Sequence, residues 1–121
     1  MAHVLIIDDS LELLEMYSLI FKMNKIESSV AANHTQMVRQ MTKIKPDIIL
    51  MDVMLNGEDG REICRELKEN SYYKDIPVIL ISASPNKLKE FKDFNANDCL
   101  EKPFDIEKLI TKINTHLPHS A

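Results

Sequence analysis

Three apolar runs in this sequence each stop on a polar group. "VLII" (4–7) runs into Asp8 and Asp9, "IILM" (48–51) into Asp52, and "VILI" (78–81) into Ser82. Unbroken apolar runs of this length, without polar alternation, belong to strands buried on both faces. A chain with three such strands needs a covering layer on each side of its sheet. The run endings then raise a question of chemistry, because adjacent like charges at the end of a buried strand resist ionising unless something opposes them.

The segments between the runs supply the covering layers. Residues 10–24 place Leu13, Leu14, Tyr17, Ile20 and Phe21 on one helical face. Asp9 and Ser10 are alternative caps for that helix. "IESSVAA" (26–32) reads as a more polar edge strand. Asn33 and Gln36 form a capping pair for a helix whose apolar face is Met37, Val38, Met41 and Ile44. "VMLNGEDG" (53–60) holds both glycines of the chain and reads as a loop, followed by the helix "REICRELKEN". Pro77 is tolerable at the start of the strand at 76–82. A short helix is expected within the charged stretch 84–95. The last strand is expected at 98–103, then a helix capped by Asp105 with Ile106, Leu109, Ile110, Ile113 and Leu117 on its face.

Strand and helix thus alternate five times, the pattern of an α/β fold with a parallel sheet covered on both sides. The 121 residues suffice for one domain, expected to span 1–121. A hydrophobic share of 45% excludes a disordered chain, and a net charge of -4 argues against a general nucleic-acid binder. No run is long enough to cross a membrane. Cys64 and Cys99 fit no metal or disulfide pattern, read as small buried groups, and suit a reducing cytoplasm. His3, His34, His116 and His119 show no zinc spacing. "THLPHSA" (115–121) reads as a ragged end.

Parallel strands share one carboxyl edge, so Asp8, Asp9, Asp52, Ser82 and Lys102 should converge there. Each alone has a plainer reading as a cap, a turn residue or a solvated lysine. Together they make a site for a hard divalent cation such as Mg2+, with an ammonium and a hydroxyl left to hold a phosphoryl group. Asp52 is a candidate nucleophile, since a carboxylate can form an acyl phosphate.

"VLIIDDS", "PDIILMDVMLNGEDG", "IPVILISAS" and "NDCLEKPF" resemble, in order and spacing, the receiver domain of two-component response regulators. The resemblance covers the whole chain. It implies a doubly wound, flavodoxin-like three-layer sandwich with five parallel strands in the order 2-1-3-4-5. It implies Asp52 as phosphoacceptor, and Mg2+ held by Asp9, Asp52 and the Met54 carbonyl, with Asp8 acting mostly through water. It implies Lys102, the Ser82 hydroxyl and the Ala83 N–H against the phosphoryl oxygens, and a cis Lys102–Pro103 bond. The implied phosphodonor is a histidine kinase or a histidine phosphotransfer protein. The implied output is a switch that controls a protein partner, with no catalysis beyond the domain's own phosphorylation and dephosphorylation.

The sequence also departs from the family. Cys99 stands where an aromatic residue is usual, Asn95 where glycine is, and Asn56 where proline is; the stretch from Ser82 to Cys99 is about two residues short. Two other classes fit the sequence less well. A Mg2+-dependent phosphohydrolase would carry Asp-x-Asp and a cap insertion. A flavin or nucleotide binder would want an anion loop where "DDSLELLE" stands.

Overall fold

The computed structural model of the protein describes residues 2–117. The chain runs β1 (His3–Ile7), α1 (Leu11–Met23), β2 (Glu27–Ala31), α2 (His34–Lys43), β3 (Ile48–Asp52), α3 (Gly60–Glu69), β4 (Val78–Ser82), α4 (Pro85–Leu88), a 3-10 turn (Phe91–Phe94), β5 (Asp98–Glu101) and α5 (Ile106–His116). The five strands form one parallel sheet in the order β2-β1-β3-β4-β5. A two-residue antiparallel ladder, Met54–Leu55 against Glu58–Asp59, sits between β3 and α3.

The unbroken apolar runs have a simple cause. Leu5, Ile7, Ile49, Met51, Val78 and Leu80 point to one face, against Met37 and Met41 of α2 and Ile63 and Leu67 of α3. Val4, Ile6, Ile48, Leu50, Ile79 and Ile81 point to the other, against Leu14, Tyr17 and Phe21 of α1 and Leu109 and Ile113 of α5. Both faces are dry, so alternation disappears from the sequence. Each such side chain contributes roughly 1.5–3 kcal/mol through burial, and together they fix where the strand ends lie.

Several expectations need correction. On α2, Met37 and Met41 are buried but Val38 and Ile44 are about half exposed: Val38 borders a groove between α2 and α3, and Ile44 lies past the end of the helix in extended backbone. The short helix expected within 84–95 is present as four-residue α4, and the 3-10 turn follows it; the apolar residues of the stretch, Leu88, Phe91 and Phe94, recur every three positions, which matches the 3.0-residue turn of a 3-10 helix. Ser10, not Asp9, caps α1, accepting from Leu13 N at 3.2 Å. Asp105 stands at the N-cap of α5, but its side chain makes no capping hydrogen bond. Ile106 is exposed, and Cys99 is only partly buried. The ends of the last strand and of the strand at 76–82 are also trimmed, since Pro77 precedes β4 and Lys102 follows β5. Of "THLPHSA", residues 118–121, and with them His119, lie outside the described residues.

The Asn33 cap is as expected. Its Oδ1 accepts from Gln36 N at 2.9 Å, and Gln36 Oε1 accepts from Ala32 N at 2.7 Å. Asn95 takes the left-handed conformation (φ 64°) that a glycine would otherwise supply.

Candidate functional site

The carboxyl edge of the sheet gathers residues that are up to ninety-four positions apart in sequence. Asp8 extends the β1 ladder by one step, its N–H donating to Ala31 O at 3.1 Å. This holds its carboxylate at the strand end, 2% exposed. Asp8 Oδ1 accepts from Ser10 N at 2.9 Å, at the start of α1. Asp52 closes β3, in register with Ile81, and its Oδ1 accepts from Met54 N at 2.9 Å. Asp9 is exposed at the rim. Carboxylate oxygens of Asp8, Asp9 and Asp52 lie within 4.8 Å of one another.

Lys102 reaches the two buried acids at once. Its Nζ donates to Asp52 Oδ2 at 2.7 Å and to Asp8 Oδ2 at 3.1 Å. It is positioned by its own N–H, which donates to Ser82 O at 2.9 Å just past the end of β5, and the Lys102–Pro103 bond that follows is cis. Ser82 is buried at the end of β4, its Oγ accepting from Ser84 N at 3.0 Å. Ala83 follows it and, with Lys102, Pro103, Phe104, Leu13 and Tyr17, borders an apolar cleft of about 350 Å³. All the residues singled out from sequence therefore lie at one edge. Met54 is there through its backbone, while its side chain is 58% exposed.

The charges are unbalanced. Burial pushes the Asp52 carboxyl above its ordinary value, against the hydrogen bonds from Lys102 and Met54, and the charge of Asp8 adds to the rise. Burial also works against the Lys102 ammonium, but its hydrogen bond to Asp52 and the charges of Asp52 and Asp8 outweigh it and raise its pKa. Three carboxylates thus face one ammonium. An all-oxygen, net-negative cluster of this span suits Mg2+, which takes oxygen ligands and seldom needs more than one or two carboxylates. Tyr17 lies beneath, stacked on Phe104 at 6.0 Å, its phenol held neutral first by burial and then by the charges of Asp8 and Asp52.

One residue escaped the sequence reading. A β-carbon on Gly60 would stand 2.0 Å from the Asp52 carbonyl oxygen and 2.9 Å from Met51 Cγ. Gly60 N also donates to Val53 O at 2.8 Å. The loop after β3 folds back onto the backbone of Asp52, and only glycine leaves it room. Gly57, at φ 77°, serves the turn instead. The one signal was scarcity: two glycines in the whole chain, both within eight residues of Asp52.

Comparison with known proteins gives a consistent picture. The family profile described as "Response regulator receiver domain" matches residues 4–114. The phosphate regulon transcriptional regulatory protein PhoB of Pseudomonas aeruginosa is 33% identical over 117 residues, covering 94% of this chain and 51% of PhoB. The DNA-binding response regulator MtrA of Mycobacterium tuberculosis (strain ATCC 25618 / H37Rv) is 26% identical over 117 residues, 95% of this chain and 50% of MtrA. The chain therefore spans about half the length of these relatives. Among solved structures, the chemotaxis protein CheY4 of Vibrio cholerae superposes with a TM-score of 0.88 at 30% identity, over 97% of this chain and 99% of that one. Among the described residues no helix is long and apolar enough to cross a membrane.

Proposed function

The chain belongs to the response regulator receiver domain family, and on that premise we propose that it accepts a phosphoryl group on Asp52 in a Mg2+-dependent reaction and switches conformation to control a protein partner. The observation that carries this reading is the Lys102 ammonium bridging two buried carboxylates beside a third acid. Such a cluster is poised for a cation and a phosphoryl group at once.

The donor is a phosphohistidine on a histidine kinase or a histidine phosphotransfer protein. A carboxylate oxygen of Asp52 attacks phosphorus as the P–N bond breaks. The leaving nitrogen keeps the electron pair and takes up a proton, and an acyl phosphate remains on Asp52. Asp8, Asp9, Asp52 and the Met54 carbonyl would hold Mg2+, which when bound offsets the negative charge on the phosphoryl oxygens. Lys102 swings its point charge from the carboxylates to the phosphoryl group. The Ser82 hydroxyl and the Ala83 N–H take another phosphoryl oxygen. Dry walls on both faces of the sheet make these contacts worth more than they would be in water.

In this reading residues 1–121 form one cytoplasmic domain that signals through protein contacts, and it catalyses nothing beyond its own phosphorylation and dephosphorylation. MtrA is named as a DNA-binding response regulator and PhoB as a transcriptional regulatory protein; in this reading the present chain, with its net charge of -4, makes no direct nucleic-acid contact. Intact-mass analysis after exposure to a small phosphodonor tests the reading. Wild-type protein should gain one phosphoryl group with Mg2+ and none after chelation. Equal labelling of Asp52→Asn would overturn it.

A further inference from the structure

α1 presents more apolar surface to solvent than a covering helix needs. Its buried face is Leu14, Tyr17, Ile20 and Phe21. On its outer side Met16, Leu19 and Met23 are exposed, Leu19 at 59% and Met23 at 75%. Single apolar residues on a surface are ordinary. These three are aligned: spaced by three and then four, they form a continuous line along a helix about 20 Å long. The line runs beside the apolar cleft between α1 and the start of α5, where Ile106 is exposed as well.

Charge follows the same line. Glu15 and Lys22 stand seven positions apart, so both lie on one flank of it, and both are exposed. Glu12 and Lys25, also exposed, carry the same order toward the two ends. Acid at the start and base at the end of a helix suit its dipole, but the dipole gives no reason for the apolar line between them. The opposite flank carries Leu13 and Ile20, which line the cleft. A second helix laid parallel would set Glu15 and Lys22 against that apolar flank. Laid antiparallel, it sets each Glu15 against the Lys22 of the other copy.

We propose that α1 is a self-association surface, on which a second copy of this chain packs antiparallel about a two-fold axis. The axis passes between Met16 and Leu19. Met16 of each copy then meets Leu19 of the other, and two Glu15–Lys22 pairs close one side of the seam. An isologous contact is complementary to itself in this way. Because α1 begins at the carboxyl edge of the sheet, the two Asp52 sites lie toward opposite ends of the dimer. Pairing needs neither Mg2+ nor a phosphoryl group. Two crossing helices of this length bury less than the roughly 1,200 Å² of a stable complex, so the dimer is weak, with a dissociation constant on the order of 0.1 mM.

Sedimentation equilibrium of the whole chain from about 10 µM to about 1 mM tests the pairing. The mean mass should climb from 14.0 kDa toward twice that value across this range. Leu19→Lys, which places like charges beside the axis, should hold the protein at the monomer mass. Glu15→Lys and Lys22→Glu should each weaken the dimer about tenfold, because each change is felt twice across the axis. Mixed in equal amounts, these two charge variants should associate within about threefold of wild type, since every facing pair is again of opposite sign. The three positions are exposed, so each variant should keep the wild-type circular dichroism spectrum. Wild-type protein at the monomer mass throughout would overturn the pairing and leave the apolar line to a helix of another protein. A dimer indifferent to Leu19→Lys, or a mixture no tighter than either charge variant alone, would overturn it as well.

Discussion

Replacing Gly60 by alanine tests how the phosphoacceptor is held in place. The added carbon would sit 2.0 Å from the Asp52 carbonyl oxygen, more than an ångström short of ordinary contact at 3.4 Å. Neither neighbour can yield cheaply. One is strand backbone in the middle of the sheet, and the other is the first residue of α3, tied by Gly60 N to Val53 O at 2.8 Å. Overpacking costs about 1–3 kcal/mol, and the strained hydrogen bond adds about 1 kcal/mol. The expected loss is therefore about 2–4 kcal/mol, which for a chain of this size lowers Tm by about 10 °C. Urea denaturation followed by circular dichroism reads the loss directly. Mg2+ affinity by calorimetry should fall too, because relief of the clash pushes the loop after Asp52 outward and takes Met54 with it. Gly57→Ala is the control. It meets no atom within 4 Å, so only backbone strain of about 1 kcal/mol is expected, with Mg2+ binding kept. A Gly60→Ala protein as stable as wild type would refute the close-approach reasoning.

Other outcomes follow from the same contacts. Lys102→Met should lower metal-free stability by about 1–3 kcal/mol, because two buried carboxylates lose their counter-charge, yet Mg2+ binding should persist in calorimetry; weaker Mg2+ binding would count against the assigned role. Asp98 is stabilised as a carboxylate: burial raises its pKa, but hydrogen bonds from Lys112 and His116 outweigh this and hold it below its ordinary value. A depressed carboxylate adds stability above its unfolded pKa of 3.8, and the gain disappears as pH falls through the folded value. Asp98→Asn should therefore cost about 1 kcal/mol at pH 7 and nothing in strong acid, as read from urea midpoints across pH. Asn95→Val should cost about 1–2 kcal/mol by forcing a branched residue into the left-handed region, whereas Asn95→Gly should be close to neutral in the same assay.

Much of this arrangement was legible in the sequence, for a physical reason. Strands covered on both faces write themselves as unbroken apolar runs, so β1, β3 and β4 stood out, and with them the acids and the serine at their ends. Parallel pairing then puts Asp8, Asp52, Ser82 and Lys102 on one edge, and the strand order that the resemblance implied makes them neighbours. What depends on distance was hidden. Nothing in the letters says that Gly60 touches the backbone of Asp52, or that the Ser82 hydroxyl meets Ser84 N. Within 84–95 the short helix was legible, but its extent of four residues and the 3-10 turn behind it were not. The spacing of Val38 and Ile44 fits an α-helical apolar face, but Val38 borders a groove between α2 and α3 and Ile44 lies beyond the helix end in extended backbone.

Trapping the acyl phosphate chemically and locating it by tandem mass spectrometry puts Asp52 to the sharpest test. Protein treated with a small phosphodonor and Mg2+, then reduced with borohydride, should convert one aspartate to homoserine. That aspartate should be Asp52, with Asp8 and Asp9 intact and the conversion absent after chelation. Homoserine at Asp8 or Asp9, or none anywhere under conditions that add a phosphoryl group to the protein, would contradict the account.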